Sequence, residues 1–421
     1  MPAQANAPSI PQAGRQQARG RVFTFLLTTL AATDLTLFLA GSFALTLFWA
    51  FVPIAMIAMP FRRLQRVDHG SAKWLAATVV AMGASVAYAF ATAKGSSLVL
   101  SGGFLVFGTW MLGQRGRMNR DEVGKTMERI LWLYAITAIL GTLLITFDGA
   151  DSALAAIAKS SYDKNSDTYR VQGLASEPSY AAIVAVAAWL SRRRLAVQGA
   201  LSKPGQRTST LLLLFCLFMF KSVYGVILLL LMASTYIRKK HLRFRVFALI
   251  AAASIGLVLL LGWLFPDSRL QQILNGVFAF DIDLWMEADN SSFMRFGPLY
   301  YYFANGDIGT MSFWGGHGAA SSTKYFGDAF GMLAGEDVDS LQVGFIPAFL
   351  YDYGFFAFVA VIGFGISLCR GPFRFQAAAM LILMLFNANL NTQLFWWVMA
   401  TMFVSAPMVA PEKTQHISAN D

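Results

Sequence analysis

Between positions 22 and 406 the chain is mostly apolar runs joined by short basic turns, with two long polar stretches at 148–179 and 266–340. A helix that crosses a membrane needs about 20 apolar residues, and that ruler predicts about twelve spans. The first two share 22–60 and turn near Gly41. The next three are 74–93, 96–112 and 130–147. The sixth runs from Glu177-Pro178-Ser179 to Ser191. Two short spans, 208–220 and 222–237, hinge at Lys221. The ninth is 245–265, the tenth 342–368, and the last two are 376–386 and 392–406, joined through Asn387, Asn389 and Asn391. The expected fold is an all-α polytopic membrane protein, with 22–407 as the transmembrane domain, a disordered cytoplasmic N-terminus at 1–21 and a cytoplasmic tail at 408–421. The loop at 266–340 is expected to be partly helical and to cap a cavity.

Charge orients this bundle. One set of turns is basic: Arg62, Arg63, Arg66 and Lys73; Arg115, Arg117, Arg120 and Lys125; Arg192, Arg193 and Arg194; Arg238, Lys239, Lys240 and Arg243. Such turns stay in the cytoplasm. An even number of spans makes all of them cytoplasmic and puts both long polar stretches outside, where they are acidic. The formal net charge of +10 does not point to nucleic acid, because the cations sit in turns beside apolar segments. With 56% hydrophobic and 13% charged residues, the composition excludes an ordinary soluble domain, which carries about 25% charged residues. Cys216 and Cys369 fall at different expected depths, so no disulfide is expected.

Candidate chemistry gathers on the outer face. Arg170 precedes Gly173 and the Glu177-Pro178-Ser179 helix start, where Ser176 or Ser179 could cap the helix and the helix end favours an anion. The plain alternative is a capped surface helix. Lys221, followed by Ser222, interrupts two apolar runs; it is a snorkelling lysine or a functional cation at membrane depth. In the large loop, Arg295 precedes Tyr300 and Tyr301, and Trp314 leads into Gly315-Gly316-His317-Gly318. Aromatic faces suit sugar rings, and the glycines let backbone approach a ligand. His69, His241 and His416 fall in cytoplasmic segments, leaving His317 as the one outward imidazole, either a base or a structural loop residue. Glu177 and Asp339 are the other candidate proton acceptors. Asp34, within the first run, is a lesser candidate.

In order and spacing, Arg170-x-x-Gly173 before Glu177-Pro178, the basic hinge Lys221-Ser222, Ser291-x-x-x-Arg295, the glycine turn and the closing Leu350-Tyr351-Asp352-Tyr353-Gly354 together resemble the O-antigen polymerase and ligase family. The resemblance covers about 130–368. It implies a metal-independent glycosyltransferase with no cofactor, acting on undecaprenyl-diphosphate-linked oligosaccharide at the outer face of the bacterial inner membrane. Arg170, Lys221 and Arg295 match the family's diphosphate-holding cations. Flippase and chain-length-regulator proteins and membrane lipid are the implied partners. The ligase branch carries a His-Asn pair where this chain has Val343-Gly344, which favours a polymerase of exopolysaccharide or O-antigen. An O-antigen ligase acting on lipid A and a lipid-linked sugar transporter are the alternatives; no repeated halves support the latter.

Overall fold

The computed structural model describes residues 22–32 (23 excepted), 36–40, 43–46, 69–88, 119–147, 159–163, 168–202 (176 excepted), 205–237, 269–334 with short omissions, 343–387 and 393–407, with scattered positions elsewhere. The described chain is mostly helical, as expected. Two antiparallel hairpins depart from that. β1 (Thr36–Ala40) pairs with β2 (Phe43–Thr46), Ala40 opposite Phe43. The expected first two spans are therefore interrupted by strands. A short apolar run rich in Thr and Phe reads equally as strand or helix, because period cannot separate them. In the first outer loop, β3 (Lys159–Asp163) pairs with β4 (Thr168–Gly173).

The helices are α1 (His69–Tyr88), α2 (Arg120–Phe147), α3 (Pro178–Val197), α4 (Gln206–Phe220), α5 (Val223–Ala233, continued by a 3₁₀ turn, Ser234–Tyr236), α6 (Arg269–Ala279), α7 (Ile282–Asn305), α8 (Met311–Gly315), α9 (Ser321–Ala334), α10 (Phe345–Leu368), α11 (Arg374–Asn387) and α12 (Gln393–Ser405). The loop 266–340 is thus more helical than expected. Among the described residues, α10 alone is long and apolar enough to cross a membrane by length and composition; α4, α11 and α12 are shorter apolar helices. Asp34, Ser176, Asp339, Asn389 and Asn391 lie outside the described residues.

α3 is the hub. It is buried on every side, from Ser179 to Leu195, as a core helix must be when its neighbours cover all faces. Its alanines let backbones close in. α2, α4, α5, α11 and α12 surround it. Even its basic end is internal. Arg192 and Arg194 are 4% and 0% exposed, so the expected surface turn is a set of staples instead. Arg192 pairs with Glu128 at 2.8 Å. Arg194 donates to the Ser405 hydroxyl and to the Arg370 carbonyl. Arg193 lies 3.9 Å over the Tyr236 ring. A buried charge is tolerated when paired in this way.

Two breaks shape the part built from α7 to α10. Pro298 sits inside α7 and has no N–H to give the Met294 carbonyl. That freed carbonyl accepts a long 3.4 Å bond from the Gly344 N–H, at the start of α10. Gly354 breaks α10 with φ 78° and ψ 173°. The carbonyls of Tyr351 and Asp352 lose their helical donors there. His317 N–H donates to the first at 2.9 Å and Gly318 N–H to the second at 3.0 Å, and Ser85 of α1 adds a hydroxyl to the Asp352 carbonyl at 2.9 Å. Irregular backbone is tolerated away from water when protein satisfies it. The Asp352 side chain, 2% exposed, accepts the Ser322 N–H at 2.7 Å. It thereby caps α9, where the helix dipole favours a carboxylate.

The contact at the break is backbone against backbone. A Cβ on Gly354 would stand 2.4 Å from Gly316 N and Trp314 O, and one on Gly316 would stand 2.3 Å from Asp352 O. A Cβ on Gly315 would meet nothing within 4 Å. Gly354→Ala and Gly316→Ala should each lower stability by more than about 2 kcal/mol, adding left-handed backbone strain to a clash. Gly315→Ala should change it by less than about 0.5 kcal/mol. Thermal unfolding of the purified protein measures both; equal effects at Gly315 and Gly316 would contradict this docking.

Candidate active site

The N-terminal end of α3 gathers the candidate residues. Its N-cap is Glu177, in extended backbone (φ −142°, ψ 153°), with Pro178 at the first helical position. Of the two expected capping serines, Ser176 lies outside the described residues; Ser179 lies inside the helix and its hydroxyl donates to Glu177 Oε2 at 2.9 Å. The same oxygen accepts Arg295 Nη2 at 3.0 Å. The Arg295 guanidinium also lies 5.4 Å from the Tyr224 ring centroid. The Glu177 carboxylate thus holds two donors on one oxygen. Glu177 is better placed to orient Arg295 than to take a proton.

Lys221 reaches this end by register. Arg193 Nη1 meets Gln206 Oε1 at 2.8 Å, and Trp189 Nε1 meets Thr210 Oγ1 at 3.1 Å. The antiparallel step between α3 and α4 carries on to Pro178 opposite Lys221. Lys221 is the C-cap of α4, in left-handed backbone (φ 47°, ψ 38°), and is exposed, with no ion pair among the described residues. Ser222, the N-cap of α5, is buried and makes no side-chain cap bond. Arg170 stands on β4 opposite Ser161, and β4 packs on α2, α3 and α4. The segments bearing Arg170, Lys221 and Arg295 therefore share one end of the helix bundle, and Arg295 touches Glu177 directly.

His317 stands elsewhere. Its ring stacks on Tyr351 at 4.1 Å, nearly parallel, and Nδ1 lies 3.3 Å from the Tyr351 carbonyl. That acceptor requires the proton on Nδ1, which leaves Nε2 with the lone pair. α7 and α10 run side by side, with Met294 at Gly344 and Tyr302 at Leu350. Tyr351 is seven residues beyond Gly344 and so about 10 Å further along. His317 is thus set about that far along α10 from the level of the Arg295 backbone.

The aromatics expected to face sugar mostly face one another. Tyr325 stacks on Tyr351 at 4.1 Å and Tyr301 lies 5.7 Å from Tyr325. Trp314 packs on Phe355 and Phe356, and its indole N–H donates to the Ile308 carbonyl at 2.9 Å. Tyr300 points another way, into an apolar groove with Trp285, Phe296 and Phe303. Likewise the glycine turn brings backbone against α10, where a ligand was expected. Asp352 was missed as a working residue, although a carboxylate inside an apolar run is itself a signal.

Comparison with family models and with characterised proteins returns no match.

Two measurements probe this end of the molecule. Left-handed backbone costs a residue with a Cβ about 1–2 kcal/mol relative to glycine. Lys221→Gly should therefore leave the fold as stable or more so while removing the charge, so loss of product with an unchanged or higher unfolding temperature marks Lys221 as functional. A fall in that temperature would mark the side chain as structural.

Burial holds the His317 imidazole below its usual range, partly offset by the Tyr351 carbonyl. The ring is therefore neutral in the fold at neutral pH. Its contribution to stability is complete above an unfolded value of about 6.5 and is lost as pH falls through the lowered folded value. Between pH 7.5 and 5 the unfolding temperature of the wild type should fall more steeply than that of His317→Gln. Parallel curves would show that another group carries the dependence.

Proposed function

We propose that this protein polymerises undecaprenyl-diphosphate-linked oligosaccharide repeat units into exopolysaccharide or O-antigen at the outer face of the bacterial inner membrane. The reading includes a bundle of about twelve spans with both termini in the cytoplasm. The observation that carries it is the Arg295–Glu177 pair at the end of α3, level with Lys221 and beside the strand that bears Arg170. A held guanidinium with a second cation at the mouth of a helix suits a diphosphate.

In this scheme the growing chain is the donor. The bond between its anomeric carbon and the lipid diphosphate breaks, and the diphosphate leaves with the electron pair. A hydroxyl of the next lipid-linked unit forms the new glycosidic bond. Its proton passes to a base, for which His317 Nε2 is the candidate, and then to water. Arg295, Lys221 and Arg170 stabilise charge on the departing diphosphate. Val343-Gly344 in place of the His-Asn pair favours polymerisation over ligation.

A deletion strain tests the reading. Single repeat units left on lipid mean polymerase, long unattached chains mean ligase, and unchanged outer-face glycans exclude both. Within the site, Arg295→Lys keeps the charge but loses the planar fork. It should slow polymer formation by about 10²-fold or more in isolated membranes, with protein levels unchanged; a normal rate would remove Arg295 from the diphosphate.

A further inference from the structure

The amides Asn387 and Gln393 belong to the same end of the molecule and have no work inside the fold. Asn387 is 2% exposed and Gln393 1%. Among the described residues, neither the amide N–H₂ nor the carbonyl of either side chain has a hydrogen-bond partner. Buried polar groups are normally paired, and leaving one unpaired costs free energy. Two complete amides left open in one region need an explanation.

Their position supplies it. Asn387 ends α11, and the carbonyl of the preceding residue, Phe386, reaches Gly344. A Cβ on Gly344 would stand 3.6 Å from Phe386 O and 3.5 Å from Arg295 O. The Phe386 ring lies 5.1 Å from that of Phe296, the neighbour of Arg295. Gln393 opens α12. Two residues on, Phe395 stacks on Phe345 at 4.8 Å. One turn on, the Trp397 indole N–H donates to the Val184 carbonyl of α3 at 3.3 Å. Ser191 meets the Thr401 carbonyl further along, so α3 and α12 run parallel. That register sets Gln393 level with Tyr180, one turn from Glu177. Both amides therefore lie level with the Arg295–Glu177 pair, on α11 and α12.

We infer that Asn387 and Gln393 are the groups that bind the glycan hydroxyls next to the diphosphate, so that α11 and α12 contribute to the site with α3 and α7. The chemistry of the open atoms selects this ligand. Each amide offers donors and an acceptor together. A sugar hydroxyl both donates and accepts and satisfies both ends. A diphosphate only accepts; it would leave the two carbonyl oxygens unpaired and facing negative charge. The aromatic rings of the outer loop do not compete for this role, because they stack on each other. The inference deepens the polymerisation reading and rests on it for the identity of the lipid carrier.

The test uses full-length protein in detergent and two probes: inorganic pyrophosphate, and neutral oligosaccharides released by mild acid from the source cell's own surface polysaccharide. Each probe should raise the unfolding temperature of the wild type. The near-isosteric Asn387→Leu and Gln393→Met should unfold at the same or a higher temperature without probe, since they remove orphaned polar groups. They should need about tenfold more oligosaccharide for the same shift, yet respond normally to pyrophosphate. Arg295→Ala should show the reverse. Asn387→Ala and Gln393→Ala repeat the comparison if the larger replacements do not fold.

A lower unfolding temperature in the amide variants without probe would show that the amides serve the fold, and the inference fails. It fails also if the wild type ignores the oligosaccharides or the variants keep the full response. Failure of the polymerisation reading is seen separately: the deletion strain keeps its polymer while the oligosaccharide shift and its loss in the variants persist.

Discussion

The break in α10 at Gly354 governs the packing of the 311–334 segment on α10. A helix that stays intact there has no free carbonyls for a loop to use. Once Gly354 turns to positive φ, the carbonyls of Tyr351 and Asp352 face outward and take up the N–H groups of His317 and Gly318. The two glycines 354 and 316 then meet with no side chain between them. This fixes the glycine turn and seats His317 on Tyr351. It also brings the start of α9 onto the Asp352 carboxylate. The aromatic column of Tyr351, Tyr325 and Tyr301 follows from that seat. The outer loop is therefore held by backbone hydrogen bonds at a helix break, with ring packing added on top.

A second constraint acts at the end of α3. Because α3 is covered on all sides, its neighbours are held in fixed registers: antiparallel with α4, parallel with α12. Those registers carry Lys221 and Gln393 to the level of Glu177. The Pro298 defect does similar work for α7. By freeing the Met294 carbonyl for Gly344, it ties the segment just before Arg295 to the start of α10. Arg295 is then within 3.0 Å of Glu177 although the two lie far apart in sequence.

Much of the helical layout was legible in the apolar runs. The ends at Phe147, Phe220, Leu368 and Asn387 fall within a residue or so of the run boundaries, because a polar or conformationally awkward residue follows each run. The hinge at Lys221 was legible for the same reason. The strands at 36–46 were not, since a four- or five-residue apolar strand has no period of its own. Nor was the internal placement of Arg192, Arg193 and Arg194, because charge reports on sidedness and not on burial. For the site, the sequence singled out Arg170, Lys221 and Arg295 as cations for one diphosphate and Glu177 as a candidate base. It could not show that Arg295 and Glu177 neutralise each other, which alters the role of the carboxylate. Asn387 was visible only as part of a linker, and Gln393 not at all: an amide's significance lies in the partners it lacks, and those are a property of packing.

The offset of His317 along α10 from the level of Arg295, about 10 Å of helix rise, also bears on the chemistry. In an in-line displacement the base and the cation lie on opposite sides of the carbon attacked. The base must come within about 3 Å of the hydroxyl, and the hydroxyl oxygen within about 3 Å of the carbon. The leaving oxygen, its phosphorus and a phosphate–guanidinium contact of about 3 Å fill the rest. The whole path is roughly 12–13 Å. A base in direct contact with Arg295 is therefore on the wrong side of the reaction, which sets Glu177 with the leaving group. His317, with Nδ1 facing the Tyr351 carbonyl and Nε2 carrying the lone pair, is set further along α10, clear of the leaving group. The helix break that seats His317 and the proline defect that seats Arg295 thus keep the candidate base and the candidate diphosphate cation apart, as the proposed transfer needs.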